Sequence, residues 1–465
     1  MKNTIYALAA VIILFSCRKN DVTAPVASNP VTPPPTTAIN YDDLVKDSAL
    51  DAARDIYLWY KQIPATFNAR QYSDPEAIMK AIRPYSTETG FSQAVDRWSF
   101  AIKQTEWDNA GKHGFNNSSV NGTGADLGFS VFFNAVKDLR VKYVERESAS
   151  GKAGIERGWQ VVSINGNSNI DTSSASIQMI VNAVFNSSSG SFTFKKPDGS
   201  TVTINLSAIP YSEQPVYADK VISVSNGKKV GYMVFNSFMG DTTSTYNEFN
   251  RVFINFSQNN VTDVVIDLRY NGGGYVTVAE KLANYLAPIS ANGQVMMNQT
   301  YNDKYSQYNE LVKFKKIGNL NLSRIYFIVS NNTASASELV INSLKPYLNV
   351  TLVGPTATTH GKPVGFFPIP VGTWYMFPVS FKTVNKNGEG NYYNGFTVNT
   401  RARDGVDANW GATNEACLAA TLNLISGTAG RGMTPTNDLI TAVNEDDRLN
   451  SNQFKGTIDP RGFKQ

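Results

Sequence analysis

The period of the apolar positions changes twice along the chain. From Asp42 to about Trp98 it is near-helical. In DDLVKDSALDAARDIYLWY the apolar residues Leu44, Leu50, Ile56, Leu58 and Tyr60 recur as on one helix face. YSDPEAIMKAI predicts a second helix, with Asp74 as N-cap and Pro75 in the first turn. Residues 124–207 instead carry short alternating runs. GADLGFSVFF and LRVKYVERES read as strands, and SGKAGIERGWQVVSINGNSN as a turn-rich stretch around another strand. SSASIQMIVNAVF reads as a helix, and SFTFKKPDGSTVTINLS as a hairpin turning at PDG. From Tyr211 to about Thr434, KKVGYMVFNSF, VTDVVIDLRYNGGG, SRIYFIVSNN and VTLVG are apolar strands, alternating with helical stretches such as YVTVAEKLANYLA. Such βα alternation predicts a largely parallel sheet. The expected fold class is multidomain α/β. It comprises a helical N-terminal unit (41–123), a small β domain (124–208), a βα core (209–434) and a tail (435–465).

The first forty residues stand outside this pattern. Lys2 followed by IYALAAVIILFS has the positive and apolar regions of an export signal, and the run is short for a membrane span. Cys17 directly after LFS resembles the lipobox of bacterial lipoproteins, which implies a signal peptide over 1–16 and acylation of Cys17. Residues 17–40 are rich in Pro and Thr and read as an extended tether. The only other cysteine is Cys417, in the helical EACLAATLNLI, so an internal disulfide is not expected. With 42 basic against 38 acidic residues and no long basic run, a nucleic-acid partner is not expected.

The candidate chemistry lies at the ends of the core strands, where parallel sheets collect it. In IVSNNTASASELVINSL, Ser335 falls between a strand and a helix N-terminus, where backbone N–H groups favour negative charge. Serine at such a place is also an ordinary helix cap. DLRYNGGG (267–274) ends a strand in three glycines, either a tight turn or a set of amides that a substrate can approach closely. Lys362, after Gly361, is either a surface loop lysine or, if desolvated, a neutral amine able to act as a base. The two histidines, His113 and His360, and the two cysteines are dispersed, so neither a metal site nor a Ser–His–Asp triad is predicted, and no cofactor is implied.

Taken in order, these stretches resemble the C-terminal processing, or tail-specific, serine peptidases over about 41–434. DLGF and SGKAGIERGWQVVSINGN resemble a bacterial PDZ domain, with Leu127, Gly128 and Phe129 in the place of its carboxylate-binding loop. Trp159 stands where that family usually has an acidic residue. The resemblance implies a crotonase/ClpP-like ββα core in which Ser335 is the nucleophile and Lys362 the general base. The N–H groups of Ala336 and of Gly273 or Gly274 form the oxyanion hole. Ser337 is then a structural neighbour, and Glu338 supports the turn. Phe366 occupies the position of a glutamine that assists the lysine in several members, and the run from serine to lysine is slightly longer than usual.

The expected protein is an exported lipoprotein, in the outer membrane of a Gram-negative cell, that cleaves polypeptides engaged by their C-termini. Its expected partners are those polypeptides and, through Cys17, the membrane. The alternatives are an inactive peptide- or ligand-binding relative and, from the crotonase-like architecture, an acyl-CoA enzyme. The last thirty residues carry no functional signal.

Overall fold

The computed structural model of the protein describes residues 40–113, 125–428, 449 and 455–459. The expected leader, the expected tether and Cys17 lie outside the described residues. The first described helix is Tyr41–Ile56. That helix ends at Ile56, so Leu58 and Tyr60 lie beyond it, and Leu44 is exposed. The buried face is instead Ala49, Leu50, Ala53 and Ile56, because small alanines let the helix approach its neighbours. The second helix, Pro75–Ile82, has the predicted cap: the Asp74 carboxylate accepts from Ala77 N at 2.8 Å. The unit is completed from far along the chain. Strand Phe100–Lys103 pairs antiparallel with Trp374–Phe377, and Phe100 stacks on Phe377 with centroids 4.5 Å apart.

The alternating region forms a five-stranded antiparallel sheet: Phe129–Ala135, Asp138–Val144, Gln160–Ile164, Ser189–Lys195 and Thr201–Ser207 in spatial order. The PDG turn joins the last two, with Gly199 at φ +87°. The helix Ser174–Val184 packs its Ile177 and Ile180 into the core of this sheet.

The core sheet has six strands in the order Thr400–Arg401, Asn349–Gly354, Arg324–Ile328, Asp263–Asp267, Lys229–Phe235 and Val216–Ser223. All pairs are parallel except the last. Helices cover both faces, and this is why its strands read as unbroken apolar runs. Within Asp263–Asp267, Val264 and Ile266 enter the cluster under the helices Thr242–Gln258, Val276–Leu286 and Ala336–Leu344. Val265 faces the opposite cluster, under the helix Ala416–Ser426. Each buried phenylalanine of the first cluster, such as Phe249 or Phe256, contributes about 1.5–3 kcal/mol. Cys417 packs in the second cluster.

Candidate active site

The turn DLRYNGGG leaves the strand Asp263–Asp267 and runs into a short strand, Gly273–Tyr275, that opens the helix Val276–Leu286. Asn271 shapes the turn. Its amide donates to Phe235 O at 2.9 Å, and its Oδ1 accepts from Gly273 N at 2.9 Å. Gly273 and Gly274 have φ of +106° and +139°, conformations that side chains resist. A Cβ on Gly273 would lie 2.5 Å from the Gly456 carbonyl oxygen and 3.0 Å from Ser335 Cβ, so the site requires glycine there.

Ser335 directly precedes the helix Ala336–Leu344, at φ +61°, ψ −109°. An N-cap ordinarily sits in the extended region. For a non-glycine residue this backbone costs about 1–3 kcal/mol and persists only where its surroundings enforce it. Here the enforcing group is Glu338, fully buried, whose Oε2 accepts from Ser335 N at 2.9 Å and from Lys362 N at 2.8 Å. Its Oε1 accepts from Thr359 Oγ1 at 2.6 Å and from Gly361 N at 2.7 Å. One carboxylate thus clamps the serine turn to the lysine loop. Burial pushes its pKa up, against these four hydrogen bonds. Ser337 Oγ donates to Asn271 O at 3.1 Å and ties the same helix to the glycine turn.

Lys362 is buried, its Nζ 4.0 Å from the Phe366 ring centroid and 5.6 Å from that of Trp98. Desolvation holds the amine well below its ordinary pKa, helped by Arg83 and opposed by Asp96 and Glu338. Gly361 before it has φ +88°, and a Cβ there would lie 2.3 Å from Tyr393 O. His360 accepts from Trp98 Nε1 at 3.1 Å through Nε2. Burial and the neighbouring basic groups, Lys455, Lys362 and Arg97, lower its pKa to about 3. It is a neutral acceptor holding the indole in place.

The structure therefore gathers Ser335, Ala336, Glu338, Gly273, Gly274 and Lys362 in one buried cluster. Leu127, Gly128 and Phe129 belong to a different place, the five-stranded sheet, where Phe129 begins an edge strand. Gly128 has φ +76°, and its carbonyl accepts from Glu145 N at 2.8 Å.

Two contributors are absent from the reading of the sequence. Trp98 comes from the helical N-terminal unit, which carried no chemical motif. The other corrects the view that the last thirty residues carry no functional signal. Strand Gly456–Ile458 pairs in parallel with Gly273–Tyr275. Ser335 Oγ hydrogen-bonds Thr457 Oγ1, and Lys362 Nζ donates to Lys455 O at 3.0 Å. Nothing in KGTID announces this, since the pairing joins residues far apart in the chain.

Comparison with known proteins follows the same division. Residues 229–391 match the model of peptidase family S41, and residues 45–100 match the peptidase S41 N-terminal domain. A carboxyl-terminal-processing protease of Picosynechococcus is 26% identical over 258 residues, covering 55% of this chain and 58% of that protein. The carboxy-terminal processing protease CtpB of Bacillus subtilis is 23% identical over 286 residues, covering 58% and 53%. The matches thus span little more than half the length of either relative. A crystal structure assigned to the S41 proteases, from Bacteroides fragilis, superposes with a TM-score of 0.66 at 25% identity, covering 82% of this chain and 98% of that one. Residues 229–391 thus carry the peptidase domain of family S41, behind that family's N-terminal domain at 45–100, and the chain is similar over a little more than half its length to carboxyl-terminal processing proteases.

Proposed function

We propose that this protein is a serine endopeptidase working through a Ser335–Lys362 dyad. The observation that carries the reading is the shared clamp. One buried carboxylate oxygen accepts the backbone amides of both residues, holding a strained serine turn beside a desolvated amine. Neutral Lys362 Nζ takes the Ser335 proton as Oγ bonds to a peptide carbonyl carbon. The tetrahedral intermediate collapses as Nζ returns that proton to the leaving amine. Water, deprotonated by the same amine, then releases the acyl group.

The developing oxyanion would lie at Ala336 N–H, which no helical carbonyl can reach at the first position of the helix, and at a glycine amide. Gly273 N already donates to Asn271 and Tyr275 N donates to Phe238 O, so Gly274, whose amide alternates to the opposite edge, suits the role once the strand Gly456–Ile458 paired on that edge gives way. Phe366, where several relatives carry glutamine, serves here as an apolar wall that keeps the amine uncharged.

In this reading the core is crotonase/ClpP-like, and the five-stranded sheet is a PDZ module. Its edge strand Phe129–Ala135 and the loop Leu127–Phe129 would take a polypeptide C-terminus by strand addition. Export and a lipid anchor on Cys17 complete the proposal, with the outer membrane as its place of work.

An acylating serine probe tests the dyad. Labelling is expected at Ser335, in the full chain or in the tail variants described below, and to vanish in Ser335→Ala. Lack of labelling in all of them would leave a binding-only relative. A second measurement concerns the clamp. Glu338→Gln keeps the shape but leaves one oxygen for four donors, so Ser335 and Lys362 lose their common anchor. Kcat is expected to fall about 10²-fold, the scale of a 1 Å misplacement. KM should change little and the acidic limb of the pH profile should shift, while Glu338→Asp restores less than a tenth of the loss.

A further inference from the structure

The segment Lys455–Asp459 completes a local sheet across the cleft. On one side Gly456 N donates to Gly272 O at 2.9 Å, in the register Gly273↔Gly456, Gly274↔Thr457, Tyr275↔Ile458. On the other, Phe366 N donates to Thr457 O at 3.0 Å and Asp459 N donates to Phe366 O at 3.1 Å. The segment is thus a strand hydrogen-bonded along both edges, between the glycine turn and the loop that carries Lys362.

Its side chains are accommodated as well. Ile458 is 1% exposed and packs in the apolar cluster that contains Met239, Val364, Phe366 and Phe377. The Asp459 carboxylate accepts from Gln299 Nε2 at 3.1 Å, and Thr457 meets the Ser335 hydroxyl. Upstream, Leu449 is buried in the apolar cluster of the five-stranded sheet, with Leu127 and Phe129. The C-terminal segment therefore reaches both the sheet proposed to hold peptide ends and the cleft.

We infer that Lys455–Asp459 is an intramolecular occupant of the substrate cleft. The cleft accepts extended polypeptide as a parallel strand on Gly273–Tyr275, with a small residue at Ser335 and an aliphatic side chain one position later. The chain's own C-terminal segment competes for that place. The inference rests on the peptidase reading above.

The seated segment is not poised for cleavage. Lys362 Nζ is engaged by the Lys455 carbonyl and Ser335 Oγ by the Thr457 hydroxyl, so the tail partners both members of the dyad. A tethered competitor acts at an effective concentration in the millimolar range. Free peptides then bind only the fraction of molecules whose cleft is open, and their apparent affinity falls by that fraction.

The test uses the full chain and two variants. Ile458→Asp places a charge in the apolar pocket. Gly456→Pro removes the N–H that bonds Gly272 O without burying a charge, and it serves if Ile458→Asp lowers the melting temperature. Three readouts are compared: hydrolysis of an unstructured peptide, the rate of Ser335 acylation by the probe, and amide exchange at Phe366 and Asp459. At least one variant is expected to hydrolyse the peptide with kcat/KM about tenfold above the parent, mainly through KM, for an open fraction near one in ten. A synthetic peptide of residues 453–460 should inhibit that variant competitively and the parent weakly. Amide exchange at Phe366 and Asp459 should be about tenfold slower in the parent than in both variants, as an open fraction near one in ten requires. Equal kcat/KM and equal acylation in all three proteins, or exchange in the parent as fast as in the variants, would overturn the inference. Slower exchange in the parent with no acylation in any protein would leave the occupied cleft standing and overturn the peptidase reading instead.

Discussion

Replacing Lys362 by methionine is expected to lower kcat/KM by about 10⁴-fold or more and, at neutral pH, to raise thermal stability. Both effects follow from burial. The amine lies against Phe366 and Trp98, and desolvation holds its pKa well below the ordinary 10.5. In the unfolded chain the same amine binds its proton at the ordinary value. Between the lowered folded pKa and 10.5 the unfolded state therefore holds more protons, so stability rises with pH across that window. Below it the burial cost is present in full. Methionine fills a similar volume without that cost. Ser335→Ala should match the activity loss, and the double variant should be no worse than either single one, because the two residues of the proposed dyad would act as a unit. In the parent, kcat/KM should climb with pH through the lowered Lys362 pKa. Trp98→Gln, which brings a polar group beside the amine, should move that limb upward. Kcat/KM of Lys362→Met within tenfold of the parent would exclude the lysine as base. A lower melting temperature at neutral pH would show instead that the amine's bond to Lys455 O outweighs its desolvation.

The contrast between Lys362 and Trp98 shows what a sequence can carry. Ser335, Glu338 and the glycines are readable because their work is local. A strand end, a helix start and a run without side chains each leave a mark within a few residues. Lys362 is readable only through its order behind Ser335. Whether it is a surface lysine or a buried base depends on its walls, and Trp98 lies 262 residues before the neighbouring His360 to which it is bonded. Periodicity separates buried from exposed faces and identified four of the six strands of the core sheet, missing Val216–Ser223 and Thr400–Arg401. It overextended the first helix, since Leu58 and Tyr60 continue the apolar spacing after the helix itself has ended at Ile56. The strand at Gly456–Ile458 is invisible for a related reason. Three residues are too few to show an alternation, and its partners lie near residues 273 and 366.

Arg269, in the middle of DLRYNGGG, is expected to be the most costly residue of that motif to replace. Its guanidinium is fully buried and bonds three carboxylates. Nη2 lies 2.7 Å from Asp267 Oδ2, and Nη1 lies 3.0 Å from Asp404 Oδ1 and 2.8 Å from Glu415 Oε1. Arg157, in the turn before the strand Gln160–Ile164, joins the same network through Asp404 at 2.9 Å. The partners at 404 and 415 are 135 and 146 residues downstream, so the sequence shows a strand-end arginine and nothing of its purpose. Arg269→Met would strand buried charge on the carboxylates it leaves, which costs about 3–5 kcal/mol for a broken buried pair. The measurable result is a lower urea midpoint with an unchanged slope. Burial alone would raise the Asp404 and Glu415 carboxyls, but Arg269, with Arg157, holds both below their ordinary values. Groups depressed in the folded state stabilise it above their unfolded pKa and lose that contribution as pH falls through the folded one. Without the guanidinium these carboxyls should protonate more readily, and a neutral acid no longer needs the missing cation. The destabilisation of Arg269→Met is therefore expected to be greatest near neutral pH and to shrink below about pH 4, where unfolded carboxyls protonate as well. A deficit independent of pH would mean that the arginine acts through its packing under Trp410, 5.5 Å from its guanidinium carbon, and not through its charge.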